Sequence, residues 1–233
     1  MASSSVNRQS RSTIYEGDNY ALYSMNLKKT FPLVDAGLLT EEQMERATKR
    51  YCLQSSEDGG VIFWQIDEQQ QIREGKIMYY GTDGHRLHNR HPISISWKMK
   101  NSNPPQLPAD WKATPCLFGL HLIAEDAESP IAIVESEKTA VIMSERMSHK
   151  GFLWMATGGK GNLTIARLMP LKGRRIIIFP DTDPDGSTYH EWRKTAEAAA
   201  LHLGHPIYVS DILERLASEE QKKQKIDIAD LDY

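Results

Sequence analysis

The sequence has 233 residues, of which 40% are hydrophobic and 25% are charged, proportions that are ordinary for a folded globular protein. No apolar run approaches the roughly 20 residues that cross a bilayer, and the polar N-terminus lacks the apolar core of a signal peptide. The two cysteines, Cys52 and Cys116, lie far apart and outside any CxxC pair, which argues against a disulfide framework and against a zinc ribbon. We therefore expect a cytoplasmic protein with no membrane partner.

The first part of the chain predicts an α+β region after a disordered lead-in over residues 1–24. The stretch LLTEEQMERATKRY predicts a helix, because Thr40 and Gln43 have capping-box spacing and acids precede bases along it. Alternating apolar residues then predict a hairpin and a further strand, which together form an antiparallel meander. The three predicted strands are 61–67, 74–80 and 93–99.

The second part of the chain has a different texture. Residues 101–110 contain three prolines and form the best linker candidate, so we place the boundary between an N-terminal region, 25–115, and a C-terminal domain, 116–233. Short continuous apolar runs then alternate with helical segments, as expected for strands buried on both faces of a parallel sheet. The predicted fold class is α/β. Its last predicted elements are a helix over 191–203, a strand, one charged helix over 212–225 and an acidic tail.

The N-terminal region carries a local excess of positive charge, although the whole chain has a net charge of −3. Between residues 73 and 100 there are six basic residues and two acids, with aromatic residues and histidines among them. A basic patch of this kind suits a polyanion, but on this evidence alone a solvated sheet face with scattered charge is the favoured explanation. The candidates for nucleic-acid or phosphate contact are Lys76, Arg86, Arg90 and Lys98.

Carboxylates and glycines follow three predicted strands of the parallel sheet. Glu135 ends the first, GGKG (158–161) follows the second, and Asp181 and Asp183 follow the third. Ligands bind at the carboxyl ends of the strands in such sheets, and clustered carboxylates repel one another unless cations neutralise them. Hard oxygen ligands suit Mg²⁺, which often also contacts substrate phosphates. The pattern therefore indicates metal-assisted phosphoryl transfer.

Each of these features alone has a structural explanation. Asp181 and Asp183 are also what a helix N-cap and a turn would use, and Glu135 could be an acid of a first helical turn. The GGKG segment matches neither a Walker loop nor a dinucleotide-binding GxGxxG motif. The ordered combination is what favours a functional site.

The segments IAIVESEKTAVIMSE, ATGGKGN and RRIIIFPDTDPDG together resemble a Toprim domain, the catalytic module of bacterial primases, topoisomerases and some nucleases. The match includes Glu135, Asp181, Asp183 and Gly186. The segment VESEKTA, with GGKG between the motifs, resembles primase-type Toprim domains of phages and bacterial mobile elements. The resemblance spans roughly residues 25–233 and implies a small parallel sheet flanked by helices, preceded by a primase-like N-terminal region that forms a nucleic-acid groove.

The resemblance also implies roles for individual residues. Glu135, Asp181 and Asp183 would be the catalytic and metal-binding carboxylates for Mg²⁺ or Mn²⁺, with Asp185 assisting. Lys138 and Lys160 would meet phosphate, although a solvated helix face and an exposed turn explain them equally well. The histidines at 85, 88 and 91 suit contact with a nucleic-acid backbone better than metal binding. The acidic tail IDIADLDY resembles the ends of primase-type proteins, but we expect no catalysis from it.

Three functions stay open at this point. The leading one is a primase-like nucleotidyltransferase of mobile-element replication, acting on single-stranded DNA template and nucleotides, with a helicase or a zinc-ribbon protein as a candidate partner. The second is a metal-dependent nuclease. The third is a non-catalytic nucleic-acid-binding accessory module, which the lack of a zinc ribbon favours.

Overall fold

The computed structural model describes residues 32–231, so the predicted lead-in over 1–24 lies outside the described residues. Within residues 32–231, two four-stranded sheets are present, one antiparallel and one parallel. The elements of the antiparallel half are α1 (Pro32–Asp35), α2 (Glu41–Tyr51), β1 (Gln54–Ser55), β2 (Val61–Ile66), β3 (Ile72–Met78), β4 (Ile93–Ser94) and α3 (Ile95–Lys100). Those of the parallel half are β5 (Ile131–Val134), α4 (Glu137–Arg146), β6 (Leu153–Ala156), α5 (Ile165–Leu168), β7 (Ile176–Ile178), α6 (Ser187–Leu203), β8 (Tyr208–Val209), α7 (Ile212–Leu216) and α8 (Glu219–Gln224).

The antiparallel half confirms the predicted helix and hairpin. The Thr40 side chain accepts a hydrogen bond from the backbone N–H of Gln43, whose side chain accepts one from the backbone of Thr40, so the capping box at α2 is complete. Strands β2 and β3 pair antiparallel from Val61 opposite Met78 onward, in the sheet order β1-β2-β3-β4. Strand β3 begins at Ile72, two residues earlier than predicted.

The predicted strand over 93–99 is wrong beyond its first two residues, because the chain turns into α3. The Ser94 side chain accepts a hydrogen bond from the backbone N–H of Trp97 at 3.1 Å and so caps the helix. Ile95 and Met99, four residues apart, lie on one helical face and are buried, whereas Trp97 is 61% exposed. Alternation alone could not separate this short helix from a strand.

The parallel half has the sheet order β6-β5-β7-β8, with every neighbouring pair parallel and helices flanking the sheet. Strands β5 and β6 are apolar runs that are buried throughout, as predicted, and in β7 Ile176 and Ile178 are buried while Ile177 is partly exposed. The fold class is therefore the predicted α/β arrangement, a small parallel sheet flanked by helices and preceded by an antiparallel sheet.

The two halves share one hydrophobic core. Residues of α2 and β2 pack in the same buried cluster as β5, β6 and α4. Tyr51 stacks on Phe118 with ring centroids 4.9 Å apart, and its hydroxyl donates to the backbone carbonyl of Trp154 at 2.9 Å. Phe118 in turn pairs with Ala156 of β6. Because this packing is continuous, the outer strand β6 of the parallel sheet lies on the side of the antiparallel half.

Two predicted helices differ in their bounds. Helix α6 begins at Ser187, four residues before the predicted start, because Asp183 caps it from the preceding turn. The predicted charged helix is two helices, α7 and α8, and Ser218 forms a complete capping box with Gln221 at the break. Within residues 32–231, no helix combines the length and the apolar content needed to cross a bilayer.

Candidate functional site

The carboxyl ends of β5, β6 and β7 meet at one edge of the parallel sheet, as the sequence predicts. Two adjoining cavities, of about 490 Å³ and 710 Å³, open at this edge. Glu135, Asp181 and Lys225 line both of them. The smaller cavity also contains Asp183, Asp185 and Lys160, whereas the larger one extends towards the antiparallel sheet.

Glu135 follows β5 directly and is partly buried. Burial raises the pKa of its carboxyl group above the usual value, while the backbone amide and ammonium group of Lys160 and the ammonium groups of Lys76 and Lys225 oppose that rise. This carboxylate therefore lies at a position where cations from both halves of the molecule act on it.

Asp181 carries the least compensated carboxylate of the site. Its Oδ1 atom is buried and has no hydrogen-bond partner among the described residues. Burial raises the pKa of Asp181 well above its usual value, and the charges of Asp227, Glu135 and Asp230 raise it further, opposed by Lys138. A buried acid surrounded by other acids is costly to the fold unless a proton or a cation neutralises it.

Asp183 has a structural role that the sequence left open. Its Oδ2 atom accepts hydrogen bonds from Ser187 Oγ and Thr188 N, both at 2.8 Å, and from Thr188 Oγ1 at 2.5 Å. Burial alone would raise its pKa, but these hydrogen bonds lower the pKa well below its usual value. Asp183 thus caps α6 with one oxygen, while its buried Oδ1 has no partner among residues 32–231.

Asp185 and Gly186 complete the turn before α6. Asp185 is exposed and accepts a hydrogen bond from the backbone N–H of Ser187 at 3.1 Å. Gly186 has φ +68°, a left-handed conformation that lets the chain turn into the helix. Asp185 therefore lies at the rim of the smaller cavity.

The two candidate lysines of the parallel half have defined partners. Lys160 Nζ donates to Ser187 Oγ at 2.9 Å and lies 3.5 Å from Asp183 Oδ2 and 3.4 Å from Glu191 Oε2. Lys138 Nζ donates to the Gly84 carbonyl at 3.3 Å, so it reaches across to the antiparallel half. Both lysines lie at the cavities, Lys160 in the smaller and Lys138 in the larger.

The basic candidates of the N-terminal region divide into two groups. Lys76 and Arg86 line the larger cavity, together with His85 and His88. Arg90 lies elsewhere, paired with Asp58 and with its guanidinium 3.5 Å above the ring of Tyr79. Lys98, on α3, and His91 line neither of these two cavities. The structure thus brings together only part of the predicted basic set.

Sequence reasoning missed several residues of the site. Two aspartates near the C-terminus line the larger cavity: Asp227, just before the 3-10 turn Ile228–Asp230, and Asp230, at its end. The Asp227 side chain accepts a hydrogen bond from Thr139. The acidic tail was the available signal, but its distance along the chain from β7 hid the contact. Glu137, buried in the first turn of α4, also lines this cavity.

The acidic residues are of the type that binds a divalent cation, but those that the structure describes are not arranged as a metal-binding group. Carboxylate oxygens are the ligands that Mg²⁺ and Mn²⁺ prefer, and Asp181 and Asp183 each have a buried oxygen without a partner among the described residues. Within residues 32–231, however, no three His, Cys, Asp or Glu side chains already form a metal-binding group.

Comparison with known families assigns the chain. It belongs to the family described as "Domain of unknown function (DUF6371)", whose model matches residues 27–182. The matched range includes Glu135 and Asp181 and ends one residue before Asp183. No curated protein matches the chain.

Several solved primase structures are similar to the chain at low identity. The primase fragment of the bacteriophage T7 primase-helicase is 12% identical with a TM-score of 0.42, over 65% of this chain and 56% of that one. The Aquifex aeolicus primase (zinc-binding and RNA polymerase domains) is 14% identical with a TM-score of 0.38, over 82% and 49%. The DnaG primase catalytic domain bound to ssDNA is 14% identical with a TM-score of 0.43, over 84% and 73%. The chain thus spans about half the length of the first two proteins.

Proposed function

We propose that the chain is a Toprim-type, metal-dependent nucleotidyl- or phosphoryl-transfer protein that acts on DNA, with a primase-like activity. The observation that carries this proposal is the state of Asp181. Its Oδ1 atom is buried without a partner among the described residues, on the wall shared by two cavities and close to further carboxylates. Folding alone gains nothing from such an arrangement, whereas a bound cation would neutralise the carboxylates.

Glu135, Asp181 and the unpartnered oxygen of Asp183 would hold Mg²⁺ or Mn²⁺, and Asp185 would assist from the rim. A bound divalent cation supplies charge neutralisation for reacting phosphates. The protein's own contribution is to orient these carboxylates by the ends of β5 and β7 and by the start of α6. Lys160 and Lys138 lie beside the carboxylates and would attract and orient the phosphates of a nucleotide or of DNA.

The larger cavity suits a single-stranded template. Arg86, His85 and His88 of the antiparallel half line one side of it, and the carboxylates line the other. Cationic groups next to a carboxylate cluster position a polyanion so that its phosphates approach the metal site. The resemblance of the VESEKTA and GGKG segments to primase-type Toprim domains supports a role in the replication of a mobile element, with a helicase or zinc-ribbon protein as partner.

A primer-synthesis assay tests the proposal. Wild-type protein with Mg²⁺ or Mn²⁺, nucleotides and single-stranded DNA should synthesise primers, and Asp181→Asn should lose at least about a hundredfold in rate. Asp126→Asn is the matched control, because Asp126 is an acid in a turn and lines neither cavity. Equal rates for wild type and Asp181→Asn would refute the assignment. Degradation of DNA without added nucleotides would instead identify a nuclease.

A second candidate function is a non-catalytic nucleic-acid-binding module. The specific observation in its favour is that Asp183 already caps α6 and that the described carboxylates form no ready metal group. This function requires salt-sensitive DNA binding that is equal in wild type and Asp181→Asn, with no turnover under any metal. Turnover that depends on Asp181 would exclude it.

A further inference from the structure

Lys76 joins the two halves of the molecule at the larger cavity. It lies on β3 of the antiparallel sheet, and its Nζ atom is 2.6 Å from Glu137 Oε2, at the start of α4. The same Nζ donates to the backbone carbonyl of Gly158, after β6, at 3.1 Å. One ammonium group therefore contacts the start of α4, which follows β5, and the loop that follows the neighbouring strand β6.

Glu137 is buried more deeply than an ordinary first-turn acid. The residue is 2% exposed, and its Oε1 atom has no hydrogen-bond partner within residues 32–231. A buried ion pair seldom stabilises a fold more than apolar residues of the same size would, especially when one oxygen stays unpaired. The pair therefore needs an explanation other than stability, and its place at the cavity offers one.

The backbone of Gly158 packs directly on this pair. Gly158 has φ +79°, and a Cβ atom there would lie 2.8 Å from Glu137 Oε1 and 3.5 Å from Lys76 Nζ. Its backbone N–H donates to the Glu135 carbonyl at 2.8 Å. The ion pair, the glycine loop and the backbone of Glu135 thus form one connected contact.

We infer that Lys76 and Glu137 are a positioning pair that holds the Gly158 loop against Glu135 and sets the distance between the antiparallel sheet and the strand ends. On this inference Lys76 acts through its protein contacts rather than as a free phosphate ligand. The structural part stands independently of the proposed function, whereas any effect on turnover rests on it.

Amide hydrogen exchange of residues 157–162 tests the inference without an activity assay. Lys76→Met and Glu137→Gln should each accelerate exchange in this segment by about tenfold. Glu145→Gln is the matched control, because Glu145 is also a buried acid of α4 that pairs with the antiparallel half, through Arg46 at 2.8 Å. It should change the melting temperature but leave exchange of 157–162 within about twofold of wild type.

Unchanged exchange in both Lys76→Met and Glu137→Gln, or equal acceleration in Glu145→Gln, would overturn the positioning role. If a single variant does not fold, the double variant Lys76→Met/Glu137→Met removes both charges together. Its segment should still exchange about tenfold faster, because no side chain donates to the Gly158 carbonyl. An exchange rate of this segment in the double variant equal to that of the wild type would also overturn the inference. In an active protein, the same variants should lower kcat more than they raise KM. If the wild type synthesises no primers, the proposed function is refuted, and hydrogen exchange alone then decides whether Lys76 and Glu137 are a positioning pair.

Discussion

Two aspartates with buried carboxylate oxygens follow strands in the two halves of the molecule, and their surroundings are opposite. Asp67 follows β2 and is 1% exposed, yet its carboxylate accepts hydrogen bonds from the backbone N–H groups of Gln69 and Gln71, both at 2.9 Å, and from Arg73 Nε at 2.5 Å. Asp181 follows β7 with a buried oxygen that has no partner among the described residues and with acids nearby. A buried carboxylate oxygen and a strand-end position are common to both. What separates an acid that builds the fold from an acid left for a ligand is whether its hydrogen bonds are complete.

The largest effect expected from this comparison is at Asp67. Asp67→Ala removes the carboxylate that neutralises the buried guanidinium of Arg73 and that orders the hairpin turn. The free energy of unfolding should fall by about 3 to 5 kcal/mol, because breaking a buried ion pair leaves a charge without this partner. Urea unfolding measures it. A loss below about 1 kcal/mol would mean that completed hydrogen bonds do not mark the structural acid.

The next largest loss of stability is expected for Gly158→Ala, in the loop after β6 of the parallel half. The positive φ angle alone should cost about 1 to 2 kcal/mol, and the Cβ atom close to Glu137 should add about 1 to 3 kcal/mol. Gly151→Ala is the control, because Gly151 also has a positive φ but has nothing within 4 Å of its Cβ position. Equal losses for the two variants in thermal unfolding would show that Gly158 does not pack on Glu137.

Asp181→Asn should have the opposite sign and stabilise the metal-free protein by about 1 kcal/mol near neutral pH. Asp181 has a raised pKa when folded, so its favourable contribution is present below its ordinary pKa of 3.8 and is lost as the pH rises through the raised value. The gain of the variant over wild type should therefore grow with pH above 3.8. Chemical denaturation of both proteins in the presence of a chelator measures the difference.

A divalent cation should remove this difference. Mn²⁺ at ten times its dissociation constant should stabilise the wild type by about 1.4 kcal/mol and Asp181→Asn by much less. The readout is the melting temperature with and without the metal. Equal shifts in the two proteins would place the cation away from Asp181.

The smallest effect is expected at Asp58, an exposed acid of the antiparallel half. Burial by itself raises the pKa of Asp58, but hydrogen bonds from Ser56, Tyr79 and Arg90 lower it to about 2. Its contribution to stability is thus present above 3.8 and is lost as the pH falls through about 2. Because the pair with Arg90 is largely open to solvent, Asp58→Asn should cost only about 0.5 kcal/mol at pH 6. A gain in stability, as at Asp181, would break the contrast between the two halves.

Much of the fold could be predicted because its signals are local. The capping box at Thr40, the alternating residues of the hairpin and the apolar runs of β5 to β7 each depend on neighbours in sequence. The capping box at Ser218, which splits the last helix, was a local signal of the same kind that the prediction overlooked. The helix at 95–100 was harder to predict, because part of its support comes from a distant strand. Glu74 of β3 accepts hydrogen bonds from the backbone N–H and the hydroxyl of Ser96.

The sequence by itself determined which strand ends carry Glu135, Asp181 and Asp183, because the order of strands and the residues that follow them are written along the chain. Only the tertiary structure decided how each carboxylate is used. It makes Asp183 a helix cap, brings Asp227 beside Asp181, and sends Lys76 across to Glu137. These contacts join residues as many as 61 positions apart, as with Lys76 and Glu137, and depend on how the two sheets pack. Charge and hydrogen bonding act over a few ångströms of space whatever the separation along the chain.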